Sequence, residues 1–251
     1  MRKPLVIGNW KTNKSIGESV EMIHKLRSEG IDSIKNVETV IAPSYLAMAI
    51  VQKECEGSGI RLAAQNASCL QGNCCGEISP HMLSGLCQYA VVGHSERRKY
   101  CGDTDETVNR RLIACLDAGI TPILCTGDTR EEMQAGLTED VIERQLVLGM
   151  NGVKDPSQVV ILYEPVWALG TGVSPTGAQA GEIIGALRQK IARHYDDLAA
   201  QSVRIVYAGS VRPENASEFI GRPEIDGLAV GNASLDADCF LEIVRIVSGK
   251  V

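Results

Sequence analysis

No run of 18 consecutive apolar residues occurs anywhere in this chain, which argues against a membrane-spanning helix. The N-terminal stretch offers only Leu5-Val6-Ile7 between Met1-Arg2-Lys3-Pro4 and Gly8-Asn9. That apolar core is too short for a secretory leader, and a cytoplasmic protein is expected. Nor is there a Cys-x-x-Cys pair. The nine cysteines are scattered and odd in number, which speaks against a zinc site and a disulfide framework and for reduced, mostly buried thiols. Positive charge is not in excess: 25 Lys and Arg face 31 Asp and Glu, and the net charge of −6 argues against nucleic acid or an anionic membrane as the main partner. A small anion captured locally stays open. Low-complexity segments are also missing, and 44% hydrophobic with 22% charged residues suits a compact chain with a buried core.

What is there is an alternation. Short apolar, β-rich runs at 4–8, 37–42, 60–64, 89–93, 121–125, 159–163, 203–207 and 227–230 are each followed by a helical pattern. The helices have readable ends: Asp103 or Thr104 can cap one that Gly119 stops, and similar logic brackets 176–195. Eight parallel strand-helix units can close into a barrel or open into a doubly wound sheet. With no Gly-x-Gly-x-x-Gly after the first run, a single-domain (β/α)8 barrel over residues 1–251 is the favoured reading.

In such a barrel the active site lies at the carboxyl ends of the strands. Asn9-Trp10-Lys11 follow the first run, Gln65-Asn66 the third, His94-Ser95-Glu96-Arg97-Arg98 the fourth and Glu164-Pro165-Val166-Trp167 the sixth, so titratable groups converge on one rim. The seventh and eighth runs end in Ala208-Gly209-Ser210 and Gly231-Asn232-Ala233-Ser234, small residues whose backbone N–H groups can turn to a bound anion. A phosphate site is expected there.

Gly8-Asn9-Trp10-Lys11, Val92 to Arg98, Tyr163 to Ala168 and Gly170-Thr171-Gly172, in this order and at these strand ends, resemble the triosephosphate isomerase family from end to end. The resemblance implies a TIM barrel that interconverts dihydroxyacetone phosphate and D-glyceraldehyde 3-phosphate, a step of glycolysis and gluconeogenesis, with no metal or organic cofactor. Glu164 would be the base that moves a proton between neighbouring carbons, and His94 the electrophile hydrogen-bonded to the substrate oxygens. Lys11 would supply a fixed positive charge, with Asn9 as a polar contact and Glu96 as its ionic partner. Substrate contacts would also come from Trp10, Gly170, Ser210, Gly231 and Asn232. The loop 165–176 would be a lid hinged at Pro165-Val166-Trp167 and at Val173-Ser174-Pro175, drying a reactive enediolate that can otherwise lose its phosphate. His24, His81 and His194 sit in helical patterns and read as structural.

Several positions depart from the family's pattern. Its second hinge, Lys-Thr-Ala, is Val173-Ser174-Pro175 here; a tyrosine at the position of Tyr207 normally reaches the last hinge amide when the lid shuts, and proline has none. Asp128 replaces a glutamate one methylene longer that contacts the lid tryptophan. Ala208 and Asn232 replace glycines of the phosphate loops, and backbone amides survive both changes. Cys74 and Cys75 stand where Phe-Thr usually enters the neighbouring subunit, so a homodimer is expected with a softer, oxidisable loop tip. The rival readings are an isomerase for a four-carbon ketose phosphate, a silent scaffold barrel, and a phosphate-barrel enzyme of amino-acid biosynthesis. The scaffold would be expected to have lost one of Lys11, His94 and Glu164, and the last gives no reason for the His94 and Glu164 motifs.

Overall fold

The computed structural model describes residues 2–249 except 71, 73, 170 and 172. Strands β1 (Leu5–Asn9), β2 (Glu38–Ala42), β3 (Ile60–Ala64), β4 (Tyr89–Val92), β5 (Thr121–Thr126), β6 (Val160–Tyr163), β7 (Arg204–Ala208) and β8 (Gly227–Val230) pair in parallel, in sequence order, and β8 returns to β1. The closed barrel excludes the open doubly wound sheet. Helices α1 (Ile16–Ser28), α2 (Tyr45–Glu54), α3 (Pro80–Leu83), α4 (Ser95–Cys101), α5 (Asp105–Asp117) and α6 (Arg130–Gln134) lie between the first six strands. They are followed by α7 (Thr138–Gly149), α8 (Gly177–His194), α9 (Asp197–Ser202), α10 (Pro213–Ile220) and α11 (Ala237–Ser248).

Strand ends fall within about a residue of the apolar runs. β1 starts at Leu5 and not at Pro4 because proline has no N–H for the ladder, although the Pro4 carbonyl still accepts from Glu38 N at 2.8 Å. The helix ends follow their caps. Thr104 accepts from Thr107 N at 3.2 Å to start α5, and Gly119, at φ 72°, lies just beyond that helix in the left-handed region. Thr176 and Gln179 form the capping box of α8.

Because side chains alternate along a strand, the barrel has two cores. Leu5, Ile7, Val40, Val91, Ile123, Leu162 and Val206 fill its interior, while Val6, Ile41, Leu62, Val92 and Ile161 pack outward against the helices. At the closing seam, Leu5 of β1 pairs with Gly227 of β8, and a Cβ at position 227 would sit 2.0 Å from the Leu5 carbonyl oxygen. Only glycine fits that approach.

The amino ends of the strands are sealed by polar residues. Arg204, the first residue of β7, donates to Glu38 Oε2 at 2.6 Å and to the Tyr89 hydroxyl at 2.9 Å, and Tyr89 donates to Glu38 Oε1 at 2.8 Å. Burial pushes the Glu38 carboxyl up, but the hydrogen bonds from Arg204 and Tyr89 outweigh it and hold the group below its ordinary 4.5. A carboxyl lowered by folding stabilises the fold above its unfolded pKa and loses that contribution as pH falls through the folded value. Glu38→Gln should therefore cost about 1–2 kcal/mol in urea unfolding at pH 7. The gap to the parent should close below pH 4.5 and stay constant above it.

Candidate active site

The carboxyl ends of the strands present one cavity of about 840 Å³, within the range of small-molecule sites. Asn9, Lys11, His94, Glu96, Glu164, Ser210, Gly231 and Asn232 all line it, with Ile7, Val91 and Leu162 as its apolar floor. The barrel thus brings together residues from five strand ends, those of β1, β4, β6, β7 and β8. Leu169, which the sequence did not single out, adds an apolar wall.

Trp10 does not belong to this set. Its side chain is fully buried in the layer between strands and helices. The alternation of β1 explains the correction: Leu5, Ile7 and Asn9 face the barrel axis, so the next even position points outward. Gly170, expected to give an amide to phosphate, lies outside the described residues.

Lys11 is held in a left-handed backbone, φ 51°, which a side chain with a Cβ adopts at a cost of about 1–2 kcal/mol. Three contacts hold it there. Its N–H donates to Asn9 Oδ1 at 3.1 Å, its carbonyl accepts from Gln65 Nε2 at 2.7 Å, and its Nζ meets Glu96 Oε1 at 2.6 Å. Burial pushes the Glu96 carboxyl up, but the Lys11 ammonium beside it prevails and holds it below the usual value. In the sequence Gln65 is simply a polar residue after β3; its hold on Lys11 is visible only in three dimensions.

His94 follows Gly93, whose φ of 72° and packing leave no room for a side chain: a Cβ there would lie 2.9 Å from Val108. The imidazole caps α4, with Nδ1 accepting from Glu96 N at 3.2 Å. A backbone N–H can only donate, so Nδ1 carries no proton and the ring's proton is on Nε2. That nitrogen faces Glu164 Oε1 at 3.7 Å, and both side chains are buried. The other Glu164 oxygen accepts from Ser95 Oγ at 2.5 Å, a partner that sequence reading did not assign.

The arginines beside His94 are clamps. Arg98 bridges the Gly93 carbonyl at 2.9 Å and Asp105 at 2.6 Å, while Arg97 and Arg111 converge on buried Asp103. Glu164 is set from the other side, its N–H bonded to the Thr126 carbonyl at 2.8 Å. Gly127 then passes so near that a Cβ would lie 1.9 Å from the Glu164 carbonyl oxygen.

Beyond β7 and β8 the chain turns tightly. Asn215 donates to the Ser210 carbonyl at 3.0 Å, and Gly231 opens the 3₁₀ turn Asn232–Leu235. The first amides of such a turn have no acceptor within it, which suits them to an anion. Two buried carboxyl and imidazole groups at the floor, a cation on one side and amide-rich turns on the other fit proton transfer on a small phosphorylated molecule.

A family model described as triosephosphate isomerase matches residues 4–247. Curated proteins named triosephosphate isomerase align throughout. One from Prosthecochloris aestuarii is 44% identical over 247 residues, 98% of each chain. Another from Alkaliphilus metalliredigens is 43% identical, covering 98% of this chain and all of its own, and one from Chlorobium chlorochromatii is 42% identical over the full length of both. The chain belongs to the triosephosphate isomerase family.

Against the family pattern, the departures at the loop 165–175 acquire geometry. Asp128 is fully buried and takes hydrogen bonds from Thr138 Oγ1 at 2.6 Å and the Tyr163 hydroxyl at 3.3 Å. Burial pushes its carboxyl up despite both. Its side chain is thus occupied below the loop, and its backbone carbonyl is what accepts from Trp167 N, at 3.2 Å. Pro165 and Pro175 are buried at the two ends of the loop, Val166, Trp167 and Ser174 are partly covered, and Val173 is exposed. Tyr207 is buried, stacked on Phe219 with ring centroids 4.3 Å apart, and its hydroxyl has no hydrogen-bond partner among the described residues. Tyr207→Phe removes that unpaired group and orphans nothing. Its unfolding free energy should equal or exceed the parent's by up to about 1–2 kcal/mol, measured in denaturant.

Proposed function

We propose that this chain is a triosephosphate isomerase that interconverts dihydroxyacetone phosphate and D-glyceraldehyde 3-phosphate through an enediol(ate). The observation that carries this reading is the buried pair of Glu164 Oε1 and His94 Nε2, 3.7 Å apart at the cavity floor, with the imidazole proton on the nitrogen that faces in. Glu164 takes the proton from one substrate carbon and returns it to the next. His94 donates its Nε2 hydrogen to the carbonyl oxygen and carries protons between the two oxygens, a use of neutral imidazole already known for triosephosphate isomerases. Lys11 places its charge beside the developing enediolate, and Asn9 fixes the Lys11 backbone. The turns at Ser210 and Gly231-Asn232 hold the phosphate. One proton moves between the carbons and one between the oxygens, and the substrate is neither oxidised nor reduced overall, so the step calls for no redox cofactor. The segment from Pro165 to Pro175 acts as the lid, and Leu169, already in the cavity wall, is its apolar seal.

A homodimer fits the surface beside the site. A second cavity, of about 310 Å³, adjoins Lys11, His94 and Glu96 and is lined by Tyr45, Tyr100 and Cys101. Tyr100, and Leu46, which follows Tyr45 in α2, are exposed at 71% and 84%, apolar surface that a second copy could cover. The loop around Cys74 and Cys75 of a second copy is the segment we assign to this socket. The cytoplasm suits nine cysteines held as free thiols.

A coupled assay of glyceraldehyde 3-phosphate and erythrulose phosphate, run side by side, should show a strong preference for the three-carbon sugar; the reverse preference would overturn the assignment. Lys11→Ala removes a preorganised charge worth about 3–4 kcal/mol and should be nearly inactive while folded. Glu164→Asp withdraws the carboxylate by one methylene and should lose about a hundredfold in kcat. Sedimentation should give a dimer, and a fully active monomer would refute the interface.

A further inference from the structure

The C-terminal end of the lid carries a contact that the proton transfers do not require. Gly177, the first residue of α8, donates its N–H to Glu218 Oε1 of α10 at 2.6 Å. The approach is close: a Cβ at Gly177 would lie 2.4 Å from the Glu218 carbonyl oxygen and 2.9 Å from its Cγ. Just before it, Thr176 turns both its N–H and its hydroxyl to Gln179, within its own helix, and Pro175 has no N–H. Of the amides at 175–177, then, Gly177's is the one that ties the segment to the body of the barrel. A carboxylate is well placed there, because the amino end of an 18-residue helix carries partial positive charge. The Tyr207 hydroxyl, buried within the influence of the Glu218 charge, is left without a partner among the described residues.

We propose that Glu218 is the positioning residue of the lid's C-terminal hinge, anchoring Gly177 to α10 so that the loop closes about a fixed point where Pro175 offers no amide. This rests on the isomerase reading given above. A loosely anchored lid exposes the enediolate to its side reaction. The enediolate electrons expel phosphate by breaking the carbon–oxygen bond, releasing inorganic phosphate and an enol that ketonises to a 2-oxoaldehyde.

The test compares the full-length parent with Glu218→Ala and Glu218→Gln. Glu218 is exposed, so neither change opens the core. Loss of the charge-assisted bond in Glu218→Ala should raise inorganic phosphate released per isomerisation about tenfold. Glu218→Gln, whose amide oxygen can still accept, should stay within about threefold of the parent. Hydrogen exchange of the peptide spanning the hinge, followed by mass spectrometry, should accelerate in the Ala variant and be restored in the Gln variant. A merely structural loss would lower the melting temperature without changing the phosphate-to-isomerisation ratio. A Glu218→Ala protein with the parent's ratio and the parent's hinge exchange overturns the proposal. A parent that does not isomerise the triose phosphates counts against the reaction, and the exchange measurement still decides the hinge.

Discussion

One hydrogen bond, from the Glu96 N–H to His94 Nδ1 at 3.2 Å, sets the electrostatics of the whole rim. With Nδ1 occupied as the acceptor of this bond, the ring turns its other nitrogen to Glu164, 3.7 Å away. Held in the Nε2–H form, it offers a neutral donor. The ammonium of Lys11 is balanced elsewhere, by the Glu96 side chain at 2.6 Å. One residue thus serves both arrangements, its amide with His94 and its carboxylate with Lys11. Glu164 is left with a neutral donor, Ser95, on its other oxygen.

That division works only if three loops are brought within hydrogen-bonding distance of each other, which is the consequence of closing eight parallel strands in sequence order. Every strand then delivers its carboxyl end to the same rim. The loops that follow are stiffened from outside the cavity: Gln65 and Asn9 hold Lys11 in its left-handed turn, and Arg97, Arg98 and Arg111 bind the segment around His94 to Asp103 and Asp105. Gln145 grips both backbone groups of Gly127 beneath Glu164, at 2.8 and 3.0 Å. Strain at Lys11 and crowding at Gly127 are tolerated because so many contacts oppose their relaxation.

Most of the fold was legible because a parallel barrel writes each strand as a short, almost wholly apolar run and each helix end as a cap. Thr104, Gly119 and Thr176 fall where the pattern placed them. Closure was not legible in the same way. It depends on the Leu5–Gly227 pairing of residues at opposite ends of the chain, and on a glycine whose need becomes apparent only when the Leu5 carbonyl is seen 2.0 Å from a Cβ added there.

The same distinction holds at the site. The chain by itself determined which chemistry was present at which strand end: Lys11, His94 and Glu164, and the small residues of the seventh and eighth turns, because these are local properties of residue type following an apolar run. Set beside the family's pattern, it also marked Pro175 as a departure, since a missing N–H is written in the residue. What only the tertiary structure decided were relations between distant segments. Ser95 bonds Glu164, Gln65 fixes Lys11, and Glu218 takes the amide of Gly177, while Trp10 packs outward into the helix layer although it stands between two residues that line the cavity. Hydrogen bonds of this kind join atoms 41 to 69 positions apart in the chain. No spacing in the sequence encodes them, because they arise from how the closed barrel turns each strand end toward its neighbours.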